Sequence, residues 1–193
     1  MRLLMLAGPG AGKGTQADRL AEHFGVEHLA SGDLLRAEVE AGSDIGQQME
    51  AAMSSGDLVP DEVILEVIGQ RLVEAADAGG YVLDGYPRTR AQAERAFELA
   101  REVGNIELQA VVHLEVDVEE LRRRMLARAE DEGRLDDTRT TIEHRLTVFD
   151  EQTKPLLAYY SERGLVHTVD GNQDVEDVTA AILEALVGVT GPG

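Results

Sequence analysis

The opening of the chain, residues 1–24, constrains it most. Met1-Arg2-Leu3-Leu4-Met5-Leu6 is an apolar run of strand length, Ala7-Gly8-Pro9-Gly10-Ala11-Gly12-Lys13-Gly14-Thr15 is a glycine-rich turn, and Gln16 to Phe24 carries helical spacing. A strand that passes through glycines into a helix is the setting of a phosphate-binding loop. There the glycines let backbone N–H groups converge on an anion, the helix N-terminus adds partial positive charge, and a lysine reaches the outer phosphates. A flexible connector seldom places a lone lysine at the helix start. The strict pattern G-x-x-x-x-G-K-[ST] fails twice, with Ala7 at the first glycine and Gly14 after Lys13. A positive φ at Ala7 would cost about 1 kcal/mol.

The rest of the chain alternates strand and helix patterns. Val26 to Ala30 reads as a second strand, Ser31-Gly32-Asp33 as a helix start, and Gly42-Ser43-Asp44 as a stop that caps the helix Ile45 to Ser54. Pro60 and Asp61 open a helix to about Ala76, and Tyr81-Val82-Leu83 is a buried strand ending at Asp84-Gly85-Tyr86-Pro87-Arg88. A helix from Thr89 to Val103, a strand from Leu108 to Leu114 and an arginine-rich helix from Val118 to about Arg128 follow. Glu130 to Asp137 has no period and reads as a short excursion. Thr138 begins a long helix through Tyr159, bent at Pro155, before the strand Leu165 to Val169 and a last helix Val175 to Val187. The pattern predicts an α/β fold, a five-stranded parallel sheet doubly wound with helices. In such sheets ligands bind beyond the carboxyl ends of the strands. The glycine-rich loop, Ser31-Gly32-Asp33 and Asp84 to Arg88 all fall there.

At 193 residues the chain is long enough for one domain with a proper core. It has no cysteine, which excludes disulfides and thiolate metal sites. No stretch reaches spanning length or carries a signal-peptide cleavage pattern, so a cytoplasmic protein without membrane partners is expected. The formal net charge of −19 argues against nucleic-acid partners and anionic membranes. Only Lys13 and Lys154 are lysines, and the other 16 basic residues are arginines. Genomic base composition is a sufficient cause of that bias, yet a planar guanidinium also grips phosphate in bidentate fashion.

Asp84 closes an apolar strand, where a second phosphate-site motif places a magnesium-directed carboxylate; a capping aspartate is the plainer alternative. Arg36 and Arg88 taken singly read as surface arginines, and Arg122-Arg123-Arg124 as a solvated face. Taken together, Lys13, Arg36, Arg88, Arg124, Arg128, Arg134 and Arg145 can border one strand-end rim. That would make a cationic bowl suited to several phosphates in an otherwise acidic protein.

Five stretches in order carry a specific likeness: Gly8 to Gln16; Ser31-Gly32-Asp33-Leu34-Leu35-Arg36; Leu58-Val59-Pro60; Asp84-Gly85-Tyr86-Pro87-Arg88; and Gly133-Arg134 with Asp136-Asp137 and Arg145. From about residue 2 to 187 the chain resembles adenylate kinases, nucleoside monophosphate kinases of the P-loop type. The brevity of Glu130 to Asp137 resembles the family's short-lid form, without the zinc site of some long-lid forms. The resemblance implies reversible transfer of the γ-phosphoryl group of ATP to AMP, giving two ADP. It implies a core of residues 1–30, 60–128 and 138–187, an AMP-binding segment 31–59 and a lid 129–137. Gly10, Ala11, Gly12, Lys13, Gly14 and Thr15 would hold ATP phosphates, with Arg124, Arg128 and Gln173 along the rest of ATP. Ser31, Arg36, Asp57, Leu58, Val59, Gly85, Tyr86, Pro87, Arg88 and Gln92 would hold AMP. Arg134 and Arg145 would close across the transferred phosphate, and Asp84 would orient Mg2+ through water. The family has Lys-Gly-Thr at the loop, which Lys13-Gly14-Thr15 matches, but it usually keeps Gly where Ala7 stands. It often has Arg-Gly at the lid base, where this chain has Arg128-Ala129. Nothing in the pattern demands a dimer, so a monomer is expected.

Two other readings compete. Kinases of this fold acting on UMP or CMP typically show Ala at the Ser31 position and an Asn soon after the Pro-Arg pair; Ser31, Thr89 and Gln92 favour adenine. A nucleotide-dependent switch needs no clamp for a second nucleotide, and Arg36, Arg88, Arg134 and Arg145 speak against it.

Overall fold

β1 (Arg2–Ala7) is buried along its whole length, as a central strand in a sheet covered on both faces must be. The computed structural model describes residues 1–55, 57–104, 106–132 and 138–189. β1 pairs in parallel with β3 (Tyr81–Asp84) and β4 (Ala110–Glu115). Beyond them lie β2 (Glu27–Ala30) and β5 (Val166–Asp170), giving the order β2-β3-β1-β4-β5 with every pair parallel. The expected five-stranded parallel sheet is therefore present.

Alternation along β1 divides the core into two layers. Leu4 and Leu6 face one layer, covered by α4 (Asp61–Asp77) through Ile64 and Ile68, by α5 (Arg90–Val103), and by α8 (Leu156–Ser161) through Leu156 and Tyr160. Leu3, Met5 and Ala7 face the other, covered by α1 (Lys13–Phe24), α6 (Val118–Glu132), α7 (Arg139–Val148) and α9 (Val175–Ala185). Fully burying one such aliphatic side chain stabilises by about 1.5–3 kcal/mol, so these layers supply most of the driving force. Gln16 ties α1 to α9: its Nε2 donates to the Val175 carbonyl at 2.9 Å, and its Oε1 accepts from the Thr179 hydroxyl at 2.7 Å.

α2 (Ser31–Glu40) and α3 (Asp44–Ser55) stand outside this frame and pack on each other and on α4. Ser43 caps α3 as its position predicts, accepting from the Gly46 N–H at 2.9 Å. Gly46 is required by packing: a Cβ there would fall on the Glu38 carbonyl of α2.

Two boundaries differ from expectation. α6 does not stop near Arg128 but runs to Glu132, so the first residues of the supposed excursion are helical. Leu, Ala, Arg and Glu are strong helix formers, and this propensity outlasts the apolar period. The long helix before Tyr159 is interrupted earlier than Pro155, by a π-helical turn at Phe149–Thr153 in which Lys154 N–H donates to Phe149 O at 2.8 Å. Pro155 has no N–H, so the ladder loses a donor there and is re-paired one residue wider.

Candidate active site

The carboxyl ends of β1, β2 and β3 open into one cavity of about 620 Å³. β1 feeds the glycine loop, which passes directly into α1. Gly10 and Gly12 adopt φ of 81° and 86°, the left-handed conformations that glycine supplies at no steric cost. Ala7 needs no such conformation: it is the last residue of β1, and its methyl packs in the second core layer. The strain considered for Ala7 is therefore absent. A Cβ on Gly8 would lie 2.7 Å from Leu121 Cδ1, so any larger residue there would have to displace the end of that side chain.

Lys13 folds back over the loop, its Nζ donating to the carbonyls of Ala7 and Gly8 at 3.1 Å each. Loss of water around the ammonium pushes its pKa below the ordinary lysine value; Asp84 opposes that shift, while Arg88 and Arg128 add to it. Burial likewise pushes Arg88 down; Asp84 opposes, and Arg145 and Arg36 add. Asp84 is the carboxylate that Lys13 and Arg88 share, with Arg128 bearing on Lys13, and Arg145 and Arg36 on Arg88. Asp18, Asp33 and Asp57 also line the cavity but are engaged by His28, Arg36 and His144, so the cations gathered around Asp84 suit anionic ligands.

Asp84 ends β3 opposite Met5, and its Oδ1 is buried with no hydrogen-bond partner. Its Oδ2 lies 4.0 Å from where a Cβ on Gly14 would stand, an ordinary contact distance, and Asp84 and Gly14 both line the cavity. An unpartnered carboxylate oxygen beside Lys13 and Thr15 fits a hydrated divalent cation.

Arg88 is positioned by its own turn. Its Nε donates to Gly85 O at 2.7 Å, and its N–H to Gln92 Oε1 at 2.7 Å. Thr89 caps α5 by accepting from Gln92 N–H at 3.1 Å. Ser31 is fully buried, with an unpartnered Oγ, and sits against Gly85, where a Cβ would come within 2.5 Å of that oxygen. Arg36 pairs with Asp33 on its own helix. Asp57, Leu58 and Val59 line the far wall with Leu35, Met53 and Ile64.

Not every expected residue points into the cavity. Tyr86 is a core residue whose hydroxyl donates to Gln92 O at 3.2 Å, and Ala11 is buried in the second layer; neither is among the lining residues. Gln173 is exposed and turned back, its Nε2 donating to Asp170 O at 3.1 Å, also outside the lining. Arg134, with Gly133, Asp136 and Asp137, lies outside the described residues. Arg124 reaches the lining but is held by Glu120 at 2.7 Å and by Gly171 O at 3.1 Å. Arg122 and Arg123 are indeed surface pairs, with Glu119 and Glu143, and with Glu120. Glu119 and Glu120 stand a turn before Arg122 and Arg123, a spacing the sequence displays, whereas Glu143 is brought in by α7. Sequence reasoning missed Asp18, His28 and Phe149, all in the lining; His28 Nδ1 lies 2.7 Å from Asp18 Oδ1. The alternation of β2 gives His28 the same face as Ala30, next to Asp84, and could have flagged it.

Comparison with known proteins agrees with this geometry. A family model described as adenylate kinase matches residues 5–165. The chain belongs to the adenylate kinase family. It is 44% identical over 188 residues to an adenylate kinase of Stenotrophomonas maltophilia, covering 97% of this chain and 100% of that one. It is 46% identical to one of Nocardioides sp. (96% and 97% covered) and 48% identical to one of Synechococcus sp. (96% and 98%). The chain is a phosphotransferase that moves a phosphoryl group from ATP to AMP, giving ADP. No helix of the described residues is long and apolar enough to cross a membrane.

Proposed function

We propose that the reaction takes place in the strand-end cavity with the following division of labour. Lys13 and the loop N–H groups from Gly10 to Thr15 hold the ATP phosphates, with Arg124 and Arg128 alongside. Ser31, Arg36, Arg88, Gln92 and the Asp57-Leu58-Val59 turn hold AMP. Arg145 and Arg134 close on the transferred group. An AMP phosphate oxygen attacks the γ-phosphorus as the bond to the departing ADP oxygen breaks, so no protein nucleophile is required. The protein contributes alignment, charge neutralisation and exclusion of water. The observation that carries this reading is the mutual electrostatic influence of Lys13, Asp84, Arg88, Arg128, Arg145 and Arg36 at one cavity.

Asp84 would hold a hydrated Mg2+ brought with ATP, and the cation would supply charge neutralisation at the phosphates. Residues 31–59 act as the AMP-side flap and 129–137 as the lid, on a core of 1–30, 60–128 and 138–187. The protein works as a cytoplasmic monomer without membrane or nucleic-acid partners.

A coupled assay of ADP formation from ATP with AMP, UMP, CMP or GMP tests the acceptor. AMP is expected to lead by a wide margin. ATP consumption without ADP formation from AMP overturns the reading. Arg88→Ala tests the clamp: the loss of phosphoryl transfer should be on the order of 10³-fold, the scale of a transition-state arginine. Its thermal midpoint should hold or rise, because a desolvated cation is removed from a cationic cluster. Equal loss of activity and stability would make Arg88 structural.

A further inference from the structure

One contact joins the two sides of the cavity mouth and has no place in the phosphate chemistry. Asp57, in the turn after α3, lies with its Oδ1 2.7 Å from Nε2 of His144 on α7. Its Oδ2 accepts from the Ser55 hydroxyl at 2.6 Å. On either side of this contact stand the groups the reaction uses: Leu58 and Val59 follow Asp57 in the wall, and Arg145 follows His144 in the lining. The segment that carries Asp57 is otherwise built on α2 and α4, and α7 on α6 and the π-turn, so the contact crosses between separately supported walls.

We propose that Asp57 and His144 are a positioning pair that fastens the acceptor-base turn to the helix carrying Arg145. The proposal rests on the reading of Leu58-Val59 as the AMP-binding turn. The hydrogen bonds from Ser55 and His144 hold the Asp57 carboxyl below its usual range, so it is an anion throughout the working pH range. The charged groups beside His144 are Glu143 and Arg145 on α7. Glu143 is already engaged by Arg122 of α6 at 2.6 Å, leaving Asp57 as the anion that meets the imidazole. Both partners are exposed, so the fastening is weak.

Steady-state kinetics with ATP and AMP test this in the full chain. His144→Ala and Asp57→Asn should each raise the KM for AMP about two- to fivefold near pH 6, the range an exposed pair can supply, and leave the KM for ATP unchanged. The double variant should be no worse than either single, since both remove one interaction. His144→Arg, which keeps a donor facing Asp57, should keep the low KM for AMP. The AMP phosphate itself titrates near pH 6 against every variant alike, so ratios to wild type cancel it. Equal KM for AMP in wild type and His144→Ala at every pH, or additive losses in the double variant, overturn the pair alone. A rise in the KM for ATP with none for AMP overturns the acceptor-side reading of the turn as well.

Discussion

Ala7 shows how a single residue can mislead when read against a motif. It stands where the pattern wants glycine, but the left-handed turns are made by Gly10 and Gly12, while Ala7 is β1 backbone with a buried methyl. Ala7→Gly, which restores the family's commoner residue, should therefore destabilise the fold by roughly 0.5–1 kcal/mol through chain entropy and leave ADP formation unchanged. A higher urea midpoint in the variant would show strain that the backbone does not display. Glu120 offers a second test. Hydrogen bonds from Arg123 and then Arg124 pull its pKa from 4.5 to about 2. A carboxyl depressed on folding adds stability that is fully present above pH 4.5 and is lost as pH falls toward about 2. The urea midpoints of wild type and Glu120→Gln should differ at neutral pH and converge at the acid end; a constant gap would show that the charge is irrelevant. The residues of the glycine loop, Asp84 and Arg88 were legible because each chemistry demands a residue type at a fixed place on a strand end. The burial of Tyr86 and Ala11 and the turned-back amide of Gln173 were not, because a motif fixes where the backbone goes and packing decides where the side chain points.

Helices and strands were legible wherever apolar period and punctuation agreed. Ser43 and Thr89 cap α3 and α5, and Pro60 opens α4, because short polar side chains and proline have few other uses at those points. The end of α6 and the π-turn at Phe149–Thr153 were not legible. The first is decided by propensity after the period has faded, and the second by where a helix with a missing donor chooses to re-pair. Gly46 is a further case: in sequence it is an ordinary helix-weakening glycine, and only the crossing of α2 and α3 makes it necessary. Gly46→Ala should force these helices apart at about 1–3 kcal/mol, the usual cost of overpacking. Because α2 carries Arg36 and α3 leads into Asp57, the KM for AMP should rise with little change for ATP. A variant of unchanged thermal midpoint would mean that the helices slide past one another without cost.

At the scale of the whole molecule, two opposed electrostatic fields share one chain. The surface carries the acidic excess that makes the net charge −19, while the cavity concentrates Lys13, Arg36, Arg88, Arg128 and Arg145 around Asp84. The sequence disclosed the sum and the list of arginines, but the separation into an acidic exterior and a cationic interior needed the sheet order, which brings the β1 and β3 ends side by side. Each field strains the fold in its own way, the exterior through long-range repulsion and the cavity through close, poorly solvated cations. Salt should relieve the first, because the screening length shrinks from about 30 Å at 0.01 M to about 3 Å at 1 M. A bound polyphosphate should relieve the second, adding about 2.7 kcal/mol when present at 100 times its dissociation constant. The thermal midpoint should therefore rise with added potassium chloride, and rise separately with ATP in low salt. The ATP increment should shrink as salt increases, because screening also weakens the pull of the cavity on phosphate. Arg88→Ala should lose part of the ATP increment and keep the whole salt increment, since it touches only the interior field. Differential scanning calorimetry across a salt series, with and without ATP, reads both increments; a midpoint that falls with salt would mean that favourable surface pairs, such as Arg122 with Glu119 and Glu143, outweigh the repulsion.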